Sequence, residues 1–277
     1  MKVIVLGAAG QLGQAIQSIS SNSAFQFNFF DSHQLDITNS EKVSFVFDEL
    51  KPDFCINAAA YTAVDKAEIE IEKADLINRI AVKNIVNACL KHETTLFHVS
   101  TDFVFDGEKK VPYLESDPAN PTGIYGVSKR NGEIEIERSM SKYFIVRTSW
   151  LYSDFGHNFK KTMLRLAKEK ENLSVVNDQI GSPTNAVDLA EALIEILKSR
   201  SENYGIYHFS NEGSTSWHGF AKKIFEINHV TIDLKGISTS EYLTLAKRPK
   251  YSVLDTSKIK KEFNIFIKSW EDALQQN

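Results

Sequence analysis

Only two cysteines occur in the 277 residues, Cys55 and Cys89. A chain of this length buries a large core without covalent staples. Both cysteines sit in apolar or helical contexts and read as buried reduced thiols, not as a disulfide framework or a metal site. The six prolines are scattered, and no proline-rich linker, internal repeat or low-complexity segment interrupts the chain. Charge of one sign is not in excess: 32 Lys and Arg face 36 Asp and Glu, a net charge of −4. No global basic field exists to gather nucleic acid. The seven histidines form no H-x-x-H or H-x-x-x-H pair, which argues against a catalytic metal. No stretch has the roughly 18 uncharged apolar residues of a membrane span, and Val3-Ile4-Val5-Leu6 is too short for a signal-peptide core. The expectation is a cytoplasmic protein, monomer or homodimer, with neither a nucleic-acid nor a membrane partner.

What is present is alternation. Lys2–Leu6 is a continuous apolar strand, and Gln11–Ser20 carries Leu12, Ala15, Ile16 and Ile19 at helical spacing. Strands follow at Phe25–Phe30, Phe54–Ile56, Thr95–Val99 and Tyr143–Val146. Between them lie a helix capped by Ser40 and stopped before Pro52, a broken helical stretch over 65–92, and a helix over Tyr125–Ser139. Apolar strands alternating with helices predict an α/β fold, a Rossmann-type doubly wound parallel sheet. After about residue 150 the pattern loosens. Helices are expected over Phe159–Lys168, Val187–Leu197 and Trp217–Ile227, with strands over Leu173–Val176 and Gly205–Phe209. Residues 1–149 read as a dinucleotide-binding domain. Residues 150–277 read as a smaller, mainly substrate-binding region, with segments returning to the Rossmann sheet.

Gly7-Ala8-Ala9-Gly10-Gln11-Leu12-Gly13 follows the first strand and opens the first helix. There, glycines let backbone approach a pyrophosphate at a helix N-terminus. Glycine is common in any turn, but this position makes Gly7, Gly10, Gln11, Leu12 and Gly13 candidate cofactor contacts. Asp31 closes the second strand, where an acid bonds an adenosine ribose hydroxyl; a solvated loop acid is the alternative. Asp36 and Ile37 either edge the adenine or form a helix-entry turn. Ala58, Ala59 and Ala60 at the end of the third strand leave room for a ligand, or simply pack closely. No Arg or Lys occurs over residues 31–34 to meet a 2′-phosphate, so NADH is expected ahead of NADPH.

Tyr125 and Lys129 form Y-x-x-x-K at a helix start, and the i, i+4 spacing puts both on one face. An ammonium beside a phenol favours the phenolate and is expected to lower the tyrosine pKa. Such a tyrosine transfers a proton to or from a substrate oxygen, while Lys129 also suits cofactor ribose hydroxyls. Ser100-Thr101-Asp102 ends the fourth strand, where Thr101 offers a hydroxyl to a carbonyl. A turn-forming cluster is the plain alternative.

With these residues in place the chain resembles the extended short-chain dehydrogenase/reductases and, more narrowly, the dTDP-4-dehydrorhamnose reductase family. The matching stretches include GQLG at Gly10–Gly13, NAAAYTAVDKAE at Asn57–Glu68, STDFVFDG at Ser100–Gly107, YGVSK at Tyr125–Lys129 and RTSWLY at Arg147–Tyr152. NDQIGSPT at Asn177–Thr184 and RPKYSVLDTSK at Arg248–Lys258 continue the series. The resemblance implies NAD(P)H-dependent reduction of the C4 keto group of dTDP-4-dehydro-L-rhamnose by Thr101, Tyr125 and Lys129. It implies sugar contacts from Val64, Thr101, Asp102, Phe103 and Trp150; a core tryptophan is the alternative for Trp150. Asp102 is expected to position a hydroxyl rather than titrate. Arg248 is a candidate for the nucleotide diphosphate or one half of a structural ion pair. Phe103 stands where the family often has Tyr, so one hydroxyl is missing. Some family members dimerise through Mg²⁺ held by C-terminal acids; here Glu271 and Asp272 lie close to the end, and no metal is carried over.

Other functions on the same scaffold are disfavoured by particular residues. A 4,6-dehydratase wants a Glu directly after Thr101-Asp102, where Phe103 stands. A 3,5-epimerase wants a Cys or His acid–base near Thr101. The nearest is His98, which strand alternation turns away from Thr101. Another nucleotide-sugar 4-ketoreductase giving an isomeric 6-deoxy sugar stays open. A non-catalytic regulatory subunit would be expected to have lost Tyr125 or Lys129.

Overall fold

The structure is a computed structural model and describes residues 1–21 and 24–275. In chain order the first half comprises β1 (Lys2–Leu6), α1 (Gln11–Ser20), β2 (Gln26–Phe30), α2 (Ser40–Leu50) and β3 (Phe54–Asn57). Then come α3 (Val64–Ala67), α4 (Ile71–Asp75), a π-helical turn (Leu76–Ile80), α5 (Ala81–Lys91), β4 (Thr95–Thr101), a 3₁₀ turn (Asp102–Val104), α6 (Ile124–Ser139) and β5 (Tyr143–Thr148). The second half holds β6 (Leu151–Tyr152), α7 (Phe159–Glu169), β7 (Asn172–Val176), β8 (Ile180–Gly181), β9 (Thr184–Asn185) and α8 (Ala186–Ser199). It ends with β10 (Gly205–His208), β11 (Thr215–Ser216), α9 (Trp217–Ile227), β12 (Asp233–Ile237), α10 (Ser257–Phe263) and α11 (Trp270–Gln275).

The main sheet has the order β10-β5-β4-β3-β1-β2, all pairs parallel. Side chains alternate across it, and each face finds its own cover. Val3, Val5, Phe97 and Phe144 meet Leu12 and Ile16 of α1 and Leu189 and Leu193 of α8. Ile4, Leu6, Leu96 and Ile145 meet Val43 and Phe47 of α2, Ile85 of α5 and Ile136 of α6. This is the doubly wound α/β architecture expected from the alternation. β1 lies between β2 and β3, so the winding reverses there and a crevice opens at the strands' carboxyl ends. Cys55 and Cys89 are both free and buried in the second cluster.

Beyond β5 the chain builds a separate apolar cluster from Tyr152, Met163, Leu173, Phe220 and Trp270. It also sends α8, α10 and β10 back onto the main sheet. Two local expectations change and one is filled in. Asn39, not Ser40, caps α2: its side-chain oxygen accepts from Lys42 N at 2.9 Å. The break within 65–92 resolves into two short helices and the π-helical turn ahead of α5. β12 was not anticipated; Asp233, Lys235 and Gly236 hid it, yet it pairs in parallel with β7 over its full length.

Candidate active site

The glycine turn sits at the crevice. Gly7 has φ +83°, a left-handed conformation that suits glycine. A Cβ there would lie 2.6 Å from Ala59 N, so β1 and β3 approach backbone to backbone. At Gly13 a Cβ would lie 2.4 Å from Gly7 O; at Gly10 the nearest atom would be 3.2 Å away. Gly10 is the N-cap of α1 and supplies no side-chain cap. The result is a bare helix N-terminus over a tight backbone cradle, the form that accepts a diphosphate. Leu12 is buried in the core, so any cofactor contact it makes is through its backbone. Gln11 turns its side-chain oxygen to Ser153 Oγ and Asn158 Nδ2, each at 3.0 Å.

Asp31 caps its own turn: one carboxylate oxygen accepts from His33 N at 2.8 Å and Gln34 N at 2.9 Å. Asp36 does the same for Thr38, at 3.0 Å from N and 2.7 Å from Oγ1, and those bonds lower its pKa. Ile37 is buried, and its carbonyl accepts from Asn84 at 3.1 Å. Ala58, Ala59 and Ala60 are half-buried where β3 ends.

Thr101, Tyr125 and Lys129 converge and are all buried. Thr101 ends β4, donates to Asp102 Oδ1 at 3.0 Å, and accepts from Phe103 N at 3.2 Å. Tyr125 and Lys129 share one face of α6. Burial pushes the Tyr125 phenol up to about 12, opposed by Thr101 beside it and reinforced by Asp102. Burial lowers Lys129 to about 8, opposed by Glu133. The expectation of a lowered tyrosine pKa is therefore corrected. The Lys129 ammonium is not turned to the phenol: Nζ donates to Val99 O at 2.7 Å and lies 3.2 Å from His98 Nε2. Asp102 is buried, and its Oδ2 has no hydrogen-bond partner among the described residues. Burial lifts its pKa to about 6, against hydrogen bonds that lower it.

The residues expected on the substrate side come from separate segments. Val64, Phe103 and Tyr125 share one apolar cluster, with Phe103 edge-on to Tyr125 at 5.5 Å. Trp150 has φ +46°, uncommon for a bulky residue. Its ring stacks on Trp217 at 3.5 Å, and Gly181 faces its edge, where a Cβ would come within 2.5 Å. Half-buried, Trp150 packs against the second-half cluster. Arg248 Nη2 donates to Asp65 at 2.9 Å, while its Nε is buried without a hydrogen-bond partner among the described residues.

Several positioning residues escaped the sequence reading. Glu68 caps α6 by accepting from Ile124 N at 2.8 Å. Gly126 and Gly132 let α6 lie against Phe103 O and Asn78 O, each 2.2 Å from where a Cβ would be. Asn78, in the π-helical turn, is buried and bonds both Tyr61 backbone groups and Ser128 Oγ. The one legible signal was the glycine inside Tyr125-Gly126. Among the described residues no three His, Cys, Asp or Glu side chains gather as a metal site, and no helix among them is long and apolar enough to cross a membrane.

A glycine turn at the sheet's switch point, together with a buried Thr/Tyr/Lys cluster, defines a class, the short-chain dehydrogenase/reductases of the extended type. Comparison with known proteins narrows it. A family model described as RmlD substrate binding domain matches residues 1–277. The dTDP-4-dehydrorhamnose reductase of Aggregatibacter actinomycetemcomitans is 41% identical, over 99% of this chain and 97% of that protein. The spore coat polysaccharide biosynthesis protein SpsK of Bacillus subtilis is 40% identical, over 99% and 96%. A crystal structure of Bacillus anthracis dTDP-4-dehydrorhamnose reductase in complex with NADP superposes with a TM-score of 0.96 at 42% identity, covering 99% of this chain and 97% of that one. The chain belongs to the RmlD family.

Proposed function

We propose that this protein is an NAD(P)H-dependent oxidoreductase that reduces the C4 keto group of dTDP-4-dehydro-L-rhamnose to give dTDP-L-rhamnose. The observation that carries the reading is the buried Thr101–Tyr125–Lys129 cluster beside a glycine cradle, in a chain whose full-length relatives bear that reductase's name. The cradle fits a dinucleotide: at Gly7 and Gly13 there is backbone where a side chain would be. Gly7 to Gly13 and the N-terminus of α1 would hold its diphosphate, Asp31 an adenosine ribose hydroxyl, and Lys129 the nicotinamide ribose. A bound reduced nicotinamide supplies a hydride. Thr101 turns its hydroxyl proton from Asp102 Oδ1 to the keto oxygen, and Tyr125 gives its phenolic proton to that oxygen as negative charge develops. A phenol held near 12 is fully protonated at neutral pH and so is loaded for this step.

Asp102, with a free buried oxygen, holds a sugar hydroxyl, while Val64, Phe103 and Trp150 cover the deoxysugar's apolar faces. Arg248 exchanges Asp65 for the nucleotide diphosphate, which its planar fork suits. NADH is preferred modestly over NADPH, because Asp31 is fixed at the end of β2 with no Arg or Lys over 31–34. The experiment offers purified protein dTDP-4-dehydro-L-rhamnose with reduced nicotinamide and identifies the sugar by NMR. Formation of dTDP-L-rhamnose supports the reading, an isomeric 6-deoxy sugar moves it to another 4-ketoreductase, and no turnover overturns it.

A further inference from the structure

Gln11 faces two ways. As the first residue of α1 it offers a backbone N–H to whatever the glycine cradle holds. Its side chain goes to the second half of the chain. Asn158 fixes the orientation of that side chain: Lys161 N–H can only donate, and it meets Asn158 Oδ1 at 3.1 Å. The Asn158 atom facing Gln11 is therefore the NH₂ group, and the Gln11 atom that receives it, at 3.0 Å, is Oε1. Ser153 Oγ lies 3.0 Å from the same oxygen and shares its proton with Phe155 O, also at 3.0 Å. Gln11 Nε2 makes a long contact with Leu151 O at 3.5 Å. Gly156 passes close by, with φ +61° and room for a Cβ only 3.3 Å from Gln11 Cγ.

The stretch that Gln11 pins runs from Trp150 to α7 and then returns to Trp150. Asn158 is the N-cap of α7, and Phe159 is its first residue. The Phe159 ring packs on Trp217 at 4.7 Å, and Trp217 stacks on Trp150 at 3.5 Å. Trp150 has φ +46°, a conformation that a bulky residue keeps where its surroundings impose it. Ser153 and Asn158 are buried, so solvent does not simply replace an acceptor lost there. Thr184 N–H also holds the Trp150 carbonyl, at 3.2 Å, independently of Gln11. Loss of the Gln11 amide would therefore shift the Trp150 ring, not release it.

We propose that Gln11 is a positioning residue that fixes Trp150 from within the cofactor turn, through Ser153 and Asn158; this rests on reading Gly7–Gly13 as the cofactor cradle and Trp150 as a cover for the sugar. One residue then serves the cofactor with its backbone and the sugar pocket with its side chain. An acceptor oxygen of the right reach at position 11 matters for sugar affinity, and the glutamine side chain is not what binds the dinucleotide.

The test sets two variants against each other. Gln11→Met keeps the length and helix propensity of the side chain and removes the acceptor. KM for the nucleotide sugar should rise about tenfold, the scale of two ordinary hydrogen bonds, with cofactor affinity, read by nucleotide fluorescence, unchanged. Gln11→Glu keeps an acceptor oxygen but sets a negative charge beside the diphosphate. There cofactor affinity should fall about tenfold, while KM for the sugar at saturating cofactor stays near wild type. A merely structural role would move both constants together in both variants. A second readout needs no turnover. The chain has three tryptophans, and 5-fluorotryptophan labelling gives each a ¹⁹F signal, that of Trp150 assigned by its loss in Trp150→Phe. The Trp150 signal should shift in Gln11→Met and match wild type in Gln11→Glu, with the Trp270 signal in place in both. If Gln11→Met does not fold, Ser153→Ala, which removes one donor from the other side, should move the same signal. An unmoved Trp150 signal in whichever of these two folds overturns the proposal, and so does cofactor affinity lost in parallel with sugar affinity in Gln11→Met. A wild type without turnover overturns the substrate reading, and a shifted fluorine signal then still supports the hold of Gln11 on Trp150.

Discussion

The two walls of the cleft are made of different material. The proposed cofactor wall is backbone: Gly7 and Ala58–Ala60 follow the ends of two adjacent strands, Gly13 lies in the first turn of α1, and what matters there is the lack of large side chains. The proposed substrate wall is side chain. Val64, Phe103, Trp150 and Arg248 come from four segments and are held by packing and one ion pair. A backbone wall fails abruptly when an atom is added. A side-chain wall fails gradually as contacts are removed.

The sharpest way to break this contrast is at the turn. Gly13→Ala puts a carbon 2.4 Å from Gly7 O, so cofactor binding should be lost, read by nucleotide fluorescence. Gly10→Ala, with 3.2 Å available, should keep it, though weakened. Equal behaviour of the two would dissolve the distinction. Between the walls, Tyr125→Phe should lower kcat by on the order of 10²-fold or more with nucleotide affinity kept, whereas Lys129→Met should damage both.

On the substrate wall, Trp150→Ala should raise KM for the nucleotide sugar about tenfold, as for a lost aromatic contact, with cofactor affinity unchanged. A variant whose melt collapses instead would mark Trp150 as core. Asp102 gives a pH signature. Its pKa is raised from 3.8 to about 6, so within that window the folded chain keeps a proton that the unfolded chain has released. Stability therefore falls as pH rises through the window and stays lower above it. Asp102→Asn should stabilise by up to about 3 kcal/mol at pH 8 and by almost nothing well below the unfolded value of 3.8, read by thermal melts, while KM rises. The smallest effect is cofactor choice. Asp31→Ala should erode the NADH preference only a few-fold, since solvent and salt screen a loop charge; kcat/KM for both cofactors at fixed ionic strength measures it.

The backbone wall was the more legible of the two. A glycine turn between an apolar strand and a helix with a 3.6-residue period is local, and α1 falls on the expected residues, Gln11–Ser20. Tyr125 and Lys129 are also a local pair. What sequence did not show was long-range. Alternation assigned His98 a face but not the helix over it, and so not its partner Lys129. Spacing cannot tell that Glu68 caps α6, that Asp65 meets Arg248, or that Trp217 stacks on Trp150. The tyrosine pKa was misjudged because proximity along a helix was taken for contact, while desolvation, visible only once burial is known, dominates.

β10 joins the main sheet beside β5, and α8 packs against α1, although both are encoded well after residue 150. During synthesis the first 149 residues leave the ribosome with β5 as an open edge and the face carrying Val3, Val5 and Phe144 covered by α1 alone. The rest of that face stays exposed until α8 has been made, and an unpaired edge beside half-covered apolar surface is the form in which nascent chains stick to one another. Folding to completion thus waits on the later half, and a chain truncated after β5 should be a chaperone client rather than a free-standing cofactor-binding domain.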